Sequence, residues 1–82
     1  MMDPNRIKEL IESQLPECTA LIFNDMGDGE HFAAEVVSSA FEGLNLVRQH
    51  QLVYGTLGDH MKSDIHALAL KTFTPEQWAQ RS

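Results

Sequence analysis

The sequence predicts an α+β domain of order α-β-β-α-β-α, with three strands in one mixed sheet covered by helices, and three features predict it. A proline-opened amphipathic stretch begins the chain, two β-rich runs flank the turn sequence "MGDG", and a second helix-like stretch separates that hairpin from a third apolar run. With 82 residues, 43% of them hydrophobic, the chain has room for one small domain, residues 1–82, and a modest core.

Asp3 before Pro4 supplies an N-cap and a first helical residue, and Ile7, Leu10, Ile11, Gln14 and Leu15 recur at helical spacing, predicting a helix from about Pro4 to Leu15. Pro16 stops it. "TALIFND" and "HFAAEVVS" are rich in β-formers and read as the two arms of a hairpin. Phe32, Ala34 and Val36 share one face of the second arm and are the expected core face; His31, Ala33, Glu35 and Val37 share the other, so His31 faces outward beside the turn. After the loop "FEGLN", residues Leu46, His50, Val53 and Leu57 predict a helix with an apolar stripe that includes one histidine. Gly55 and Gly58 weaken its end, Asp64 closes the next loop, and Ile65 to Thr72 form the third strand. In "TPEQW" Thr74 can cap the backbone of Gln77, with Pro75 in the first turn, so a short helix carrying Trp78 ends the chain.

The hairpin makes strands 1 and 2 antiparallel. If strands 2 and 3 pair, the helix between them is a crossover, which makes them parallel and brings their starts to one end of the sheet. That end collects His31, His66 and the acids Asp25, Asp28 and Glu30. Parity with Leu68 and Leu70 points His66 inward as a packing residue, whereas a place at the mouth of the strand suits a ligand; the two histidines lie on opposite faces unless the strand end twists. His50, on the apolar stripe, is expected to be a core or helix-end residue.

Composition narrows the function. Formal net charge is −6, and the six basic residues are scattered, without the basic stripe with which proteins displace counterions from phosphates. DNA is not an expected partner. "GTLG", Gly55, Thr56, Leu57 and Gly58, matches the GXXG backbone clamp of KH domains, but Asp59 follows it and no cation lies within it. "DMGDGE" lacks the distant bidentate glutamate of a calcium loop and reads as a hairpin turn. Cys18 has no CxxC partner, which argues against a redox or catalytic thiol and against a disulfide framework. No Ser-His-Asp set, phosphate loop or HExxH motif is present, so an enzyme is not expected. No stretch has the length and apolarity of a membrane span or a secretory signal, and a reducing cytoplasm is the expected compartment.

"FEGLNLVRQHQLVYGTL" followed by "IHALALKTFTPEQW" resembles the BolA family, and the short "GDGEHF" hairpin is most like its acidic, short-loop IbaG-type branch. The resemblance covers residues 5 to 80. It implies a class II KH-like fold and an adaptor that pairs with a monothiol glutaredoxin to bind or transfer a [2Fe–2S] cluster in iron homeostasis and stress response. In that pairing a glutaredoxin cysteine and a glutathione thiol hold one side of the cluster and the BolA-like partner the other, so no cluster is expected on the isolated monomer or weak homodimer. The family's ligand at the third-strand position matches His66. Other branches place a cysteine, or a histidine in a longer loop, between strands 1 and 2; here the loop is short, an ungapped match puts Asp28 at the cysteine position, and His31 is the nearest nitrogen donor. The family also includes a transcription regulator with a more basic second helix, so a KH-like nucleic-acid reading through Gly55 to Gly58 stands beside the adaptor reading, as does a module whose histidines only pack.

Overall fold

The computed structural model describes residues 3–24, 31–63, 65 and 67–81. Its first helix, α1 (Pro4–Gln14), opens as expected: the Asp3 carboxylate accepts from the Asn5 backbone N–H at 2.9 Å and Pro4 occupies the first turn. Ile7 and Ile11, one turn apart, are wholly buried. The helix closes at Gln14 because Leu15 precedes Pro16, whose ring disfavours helical dihedrals in its neighbour; Leu15 sits at φ −117°, ψ 142°.

Strands β1 (Thr19–Phe23) and β2 (His31–Val37) pair antiparallel, and β2 pairs in parallel with β3 (Ala67–Phe73), giving the sheet order β1-β2-β3. The expected parity holds: Phe32, Ala34 and Val36 of β2 are buried beside Ala20 of β1, while Leu68 and Leu70 of β3 pack against the same core. Between β2 and β3 run a 3-10 turn (Ser39–Phe41), helix α2 (Leu46–Leu57) and a single helical turn α3 (His60–Ser63). The last helix, α4 (Pro75–Gln80), carries the expected reciprocal cap: Thr74 Oγ1 accepts from the Gln77 backbone N–H at 3.2 Å, and Gln77 Oε1 accepts from the Thr74 N–H at 2.9 Å. Trp78 meets Phe73 edge to face, and Arg81 lies 4.2 Å above the Trp78 ring and 3.6 Å from Glu35, so α4 covers one end of the outer sheet face.

Three expectations are corrected. The buried stripe of α2 is not Leu46, His50, Val53 and Leu57: Leu46 is 63% exposed, and the buried positions are Gln49, Val53, Thr56 and Leu57. The reason is polar. Gln49 Nε2 donates to the carbonyls of Leu44 (2.7 Å) and Phe41 (3.3 Å), and its Oε1 accepts from Thr72 Oγ1 at 2.6 Å, so one amide ties the crossover loop and β3 to the helix. The third strand begins at Ala67 rather than Ile65, because the Ile65 N–H turns back to the His60 carbonyl (2.8 Å) and closes α3, while its side chain joins the core. That helical turn is the element absent from the expected order. The "MGDG" turn lies outside the described residues.

Ser38 is a second buried tie. Its hydroxyl donates to the Pro16 carbonyl at 2.6 Å and accepts from the Ala40 N–H, and its own N–H bonds Phe73 O at 3.1 Å, joining the ends of three segments. At the edge of β1, the Glu12 carboxylate accepts from the Ala20 N–H (2.9 Å), and Lys8 Nζ donates to both Glu12 (2.6 Å) and the Ala20 carbonyl (2.8 Å). Lys8, then the Ala20 N–H, hold the Glu12 carboxyl below its ordinary value of 4.5.

Two stability predictions follow from these ties. Thr72→Val leaves Gln49 Oε1 buried without a donor and should cost about 1–3 kcal/mol in urea unfolding, with Gln49→Leu added to it costing less than the sum of the two single changes; a loss under about 0.5 kcal/mol would deny the tie its role. A depressed folded-state value means that Glu12 stabilises above its unfolded value and loses that contribution as pH falls through the folded one. Melting temperature should therefore drop on acidification below about pH 4.5, and Glu12→Gln should flatten that drop; identical acid limbs for the two proteins would refute the assignment.

Candidate functional site at the mouth of two parallel strands

The parallel pairing does what the crossover argument requires. His31 opens β2 and is aligned with Ala67, the residue that follows His66 in the chain, so the starts of β2 and β3 lie side by side at one end of the sheet. His31 is half-buried and lies on the outer face, opposite Phe32. His66 and Asp28 lie outside the described residues, as do Asp25 and Glu30. Among the described residues, no three His, Cys, Asp or Glu side chains group closely enough to hold a metal ion.

Next to His31 the outer face is apolar and shallow. Ala33 and Ala69, paired across β2 and β3, form a floor between Phe23 on one side and Glu35 and Lys71 further along, enclosing a trough of about 210 Å³. Phe23 is 41% and Leu21 37% exposed on this face. Small residues at Ala33 and Ala69 make the depression, and Arg81, which follows α4, reaches its Glu35 wall at 3.6 Å. No sequence signal pointed to this trough, because alanines alternating with half-exposed residues look like any solvated strand face. Asn24, just beyond Phe23 at the same end, has a buried Oδ1 without a hydrogen-bond partner among the described residues.

Cys18 is set apart from this end. It precedes Thr19, which pairs with Val37 at the far end of β2, so about seven residue rises, roughly 20 Å, separate its level in the sheet from that of His31. Burial and the nearby Glu12 carboxylate push its thiol up to about 11, so at neutral pH it carries almost no thiolate.

The GXXG stretch is not an open loop. Gly55, Thr56 and Leu57 are the last turn of α2; Thr56 bonds the Val53 carbonyl at 2.6 Å and is buried, and Leu57 is in the core. Gly58 caps the helix at φ 53°, ψ −131°, a backbone conformation that side chains disfavour, and Asp59 beside it is exposed. His50 is half-buried on the flank of α2, 6.4 Å from the Tyr54 ring, and not in the core. No helix among the described residues is long and apolar enough to cross a membrane.

Known proteins share both sequence and architecture with this chain. The family model for BolA-like proteins matches residues 7–77. The DNA-binding transcriptional regulator BolA of Vibrio cholerae is 46% identical over 54 residues, 66% of this chain and 51% of that protein. Acid stress protein IbaG of Escherichia coli is 40% identical over 55 residues, 66% of each chain. The matched segment spans only 41% of BolA-like protein 1 from Homo sapiens, so about half or less of the length of such longer relatives. The solved structure of a BolA homologue from Coxiella burnetii superimposes with a TM-score of 0.84 at 44% identity, covering 98% of this chain and all of that one. Its strand arrangement is therefore that of solved BolA structures, and the chain belongs to the BolA-like protein family.

Proposed function

We propose that this chain is a protein adaptor that pairs with a monothiol glutaredoxin to bind or transfer a [2Fe–2S] cluster, with His66 as one ligand and His31 as the second, Asp28 being the alternative to His31. The observation that carries the proposal is the register of β2 on β3: it sets His31 beside the residue that follows His66, at a sheet end flanked by an apolar trough against which a partner can seat. Membership in the BolA-like family supports it.

The chemistry suits the donors. A [2Fe–2S] cluster takes four protein or thiol ligands, and imidazoles replacing thiolates on one iron raise its potential. An imidazole competes with protons in the physiological range, so its bond to iron is easier to exchange than that of a thiolate. The cluster is then cargo, held by this chain only while a thiolate partner holds the other iron. Cys18, with its raised thiol and its place at the opposite end of the sheet, contributes nothing to that set.

The experiment is the absorption spectrum of the chain mixed anaerobically with a monothiol glutaredoxin, iron and glutathione, set against the glutaredoxin alone. A changed spectrum is expected, with no stable cluster on the isolated chain. His66→Ala should abolish the change at a stability cost of no more than about 1 kcal/mol, His31→Ala should weaken it, and Cys18→Ser should leave it intact. An unchanged mixed spectrum with His66→Ala defeats the proposal. So would submicromolar binding of duplex DNA with a steep salt slope and no change in the glutaredoxin spectrum, an outcome that favours the regulator reading suggested by the Vibrio cholerae relative's name.

A further inference from the structure

The two edges of the sheet are treated differently. At the β1 edge, Glu12 and Lys8 occupy the N–H and the carbonyl of Ala20, so α1 side chains take the pair of hydrogen bonds that an added strand would need at that residue. β3 is the other edge, paired only with β2, and among the described residues no side chain bonds its backbone. A groove of about 280 Å³ runs beside it, walled by Leu46 and His50 of α2 and by Leu70, Lys71, Thr72 and Phe73. Residues of a strand alternate between faces, so a cavity lined by four consecutive ones looks onto the strand's edge and not onto either face. Leu46 is 63% exposed on its wall and Val47, beside it in α2, 66% exposed, an apolar shoulder unusual for the first turn of a surface helix.

Charge identifies the occupant. Lys71 is the only residue of formal charge on the groove, is exposed, and makes no ion pair among the described residues, in a chain whose net charge is −6. We propose that the free edge of β3 is a strand-addition site for an extended segment of a partner protein, with apolar residues at alternate positions and a carboxylate that pairs with Lys71. Backbone hydrogen bonds along β3 supply affinity, and the groove against α2 receives alternate side chains, which sets specificity. A second copy of this chain is the poorer occupant, because each copy brings a net −6 to the interface. Nucleic acid is poorer still, since a single lysine offers little counterion release. The groove lies along the C-terminal half of β3, away from the His31–Ala67 pair, so the inference stands independently of the cluster proposal.

The test uses short fluorescent peptides of alternating valine and threonine with a central glutamate, the same peptides with lysine in place of glutamate, and a glutamate set N-methylated at alternate amides. Fluorescence anisotropy should show the glutamate peptides binding about tenfold more tightly than the lysine peptides, and methylation in the strand-pairing register should abolish binding. Lys71→Glu should reverse the charge preference, a readout that mere unfolding cannot produce. Amide exchange on the complex should slow at the outward N–H groups of β3. The inference falls if no peptide binds below about 1 mM, if protection maps to Phe23 and Ala33 on the sheet face, or if both charges bind alike. It falls equally if β3 is protected by self-association without peptide, or if oligothymidylate displaces the peptide.

Discussion

The pairing of β2 with β3 is the constraint on which the rest of this molecule depends. Parallel neighbours cannot be joined by a tight turn, so the chain must leave the end of β2, cross one face of the sheet and return to its starting end. The 3-10 turn, α2 and α3 make that crossing, and the face they cover becomes the core, with Phe41, Val53, Leu57 and Ile65 packed on Phe32, Ala34 and Val36. The same return places the beginning of β3 beside the beginning of β2. The histidine end of the sheet is thus a consequence of topology before it is a consequence of side-chain chemistry.

Buried polar ties hold this crossover in register. An apolar core is tolerant of small shifts between helix and sheet, because one hydrophobic contact replaces another at little cost. Gln49 and Ser38 are not tolerant. Their atoms are aimed at particular carbonyls and at Thr72, and a shift of one residue would strand them without water. They specify which rotation of α2 faces the sheet, and through it which residues of that helix remain outside: Leu46, Val47 and Tyr54 are exposed because Gln49 and Thr56 are not.

The molecule therefore has distinct surfaces. One end of the sheet carries His31 beside a shallow alanine-floored trough; the opposite end of the outer face is closed by Trp78 of α4 and the Arg81 that follows it, packed on Phe73 of β3. At one edge an ion pair spends hydrogen bonds on the Ala20 backbone of β1, and at the other no side chain bonds the β3 backbone among the described residues. Among the relatives it matches are one named as a DNA-binding transcriptional regulator and one named as an acid stress protein.

Much of this was legible in the residues. Asp3-Pro4, Pro16 and the Thr74 capping box act through local backbone chemistry, so the helix boundaries at those points needed no tertiary information. Alternation in "HFAAEVV" determined which face of β2 is buried, because a strand has only two faces and one of them holds Phe32. The quoted motifs carried the family. What only the tertiary structure decided is the rotation of α2 and the start of β3. Hydropathy ranks Leu46 above Gln49, yet burial depends on whether a partner satisfies a polar group, and those partners, Phe41, Leu44 and Thr72, are brought to Gln49 by the folded crossover. Ile65 likewise has the composition of a strand residue, but its N–H was taken by the His60 carbonyl once α3 formed. The sheet edges are the last such case: the sequence holds Lys8, Glu12 and Lys71 alike as surface charges, and only packing sets the first two on the Ala20 backbone of β1 and the third on the groove beside β3.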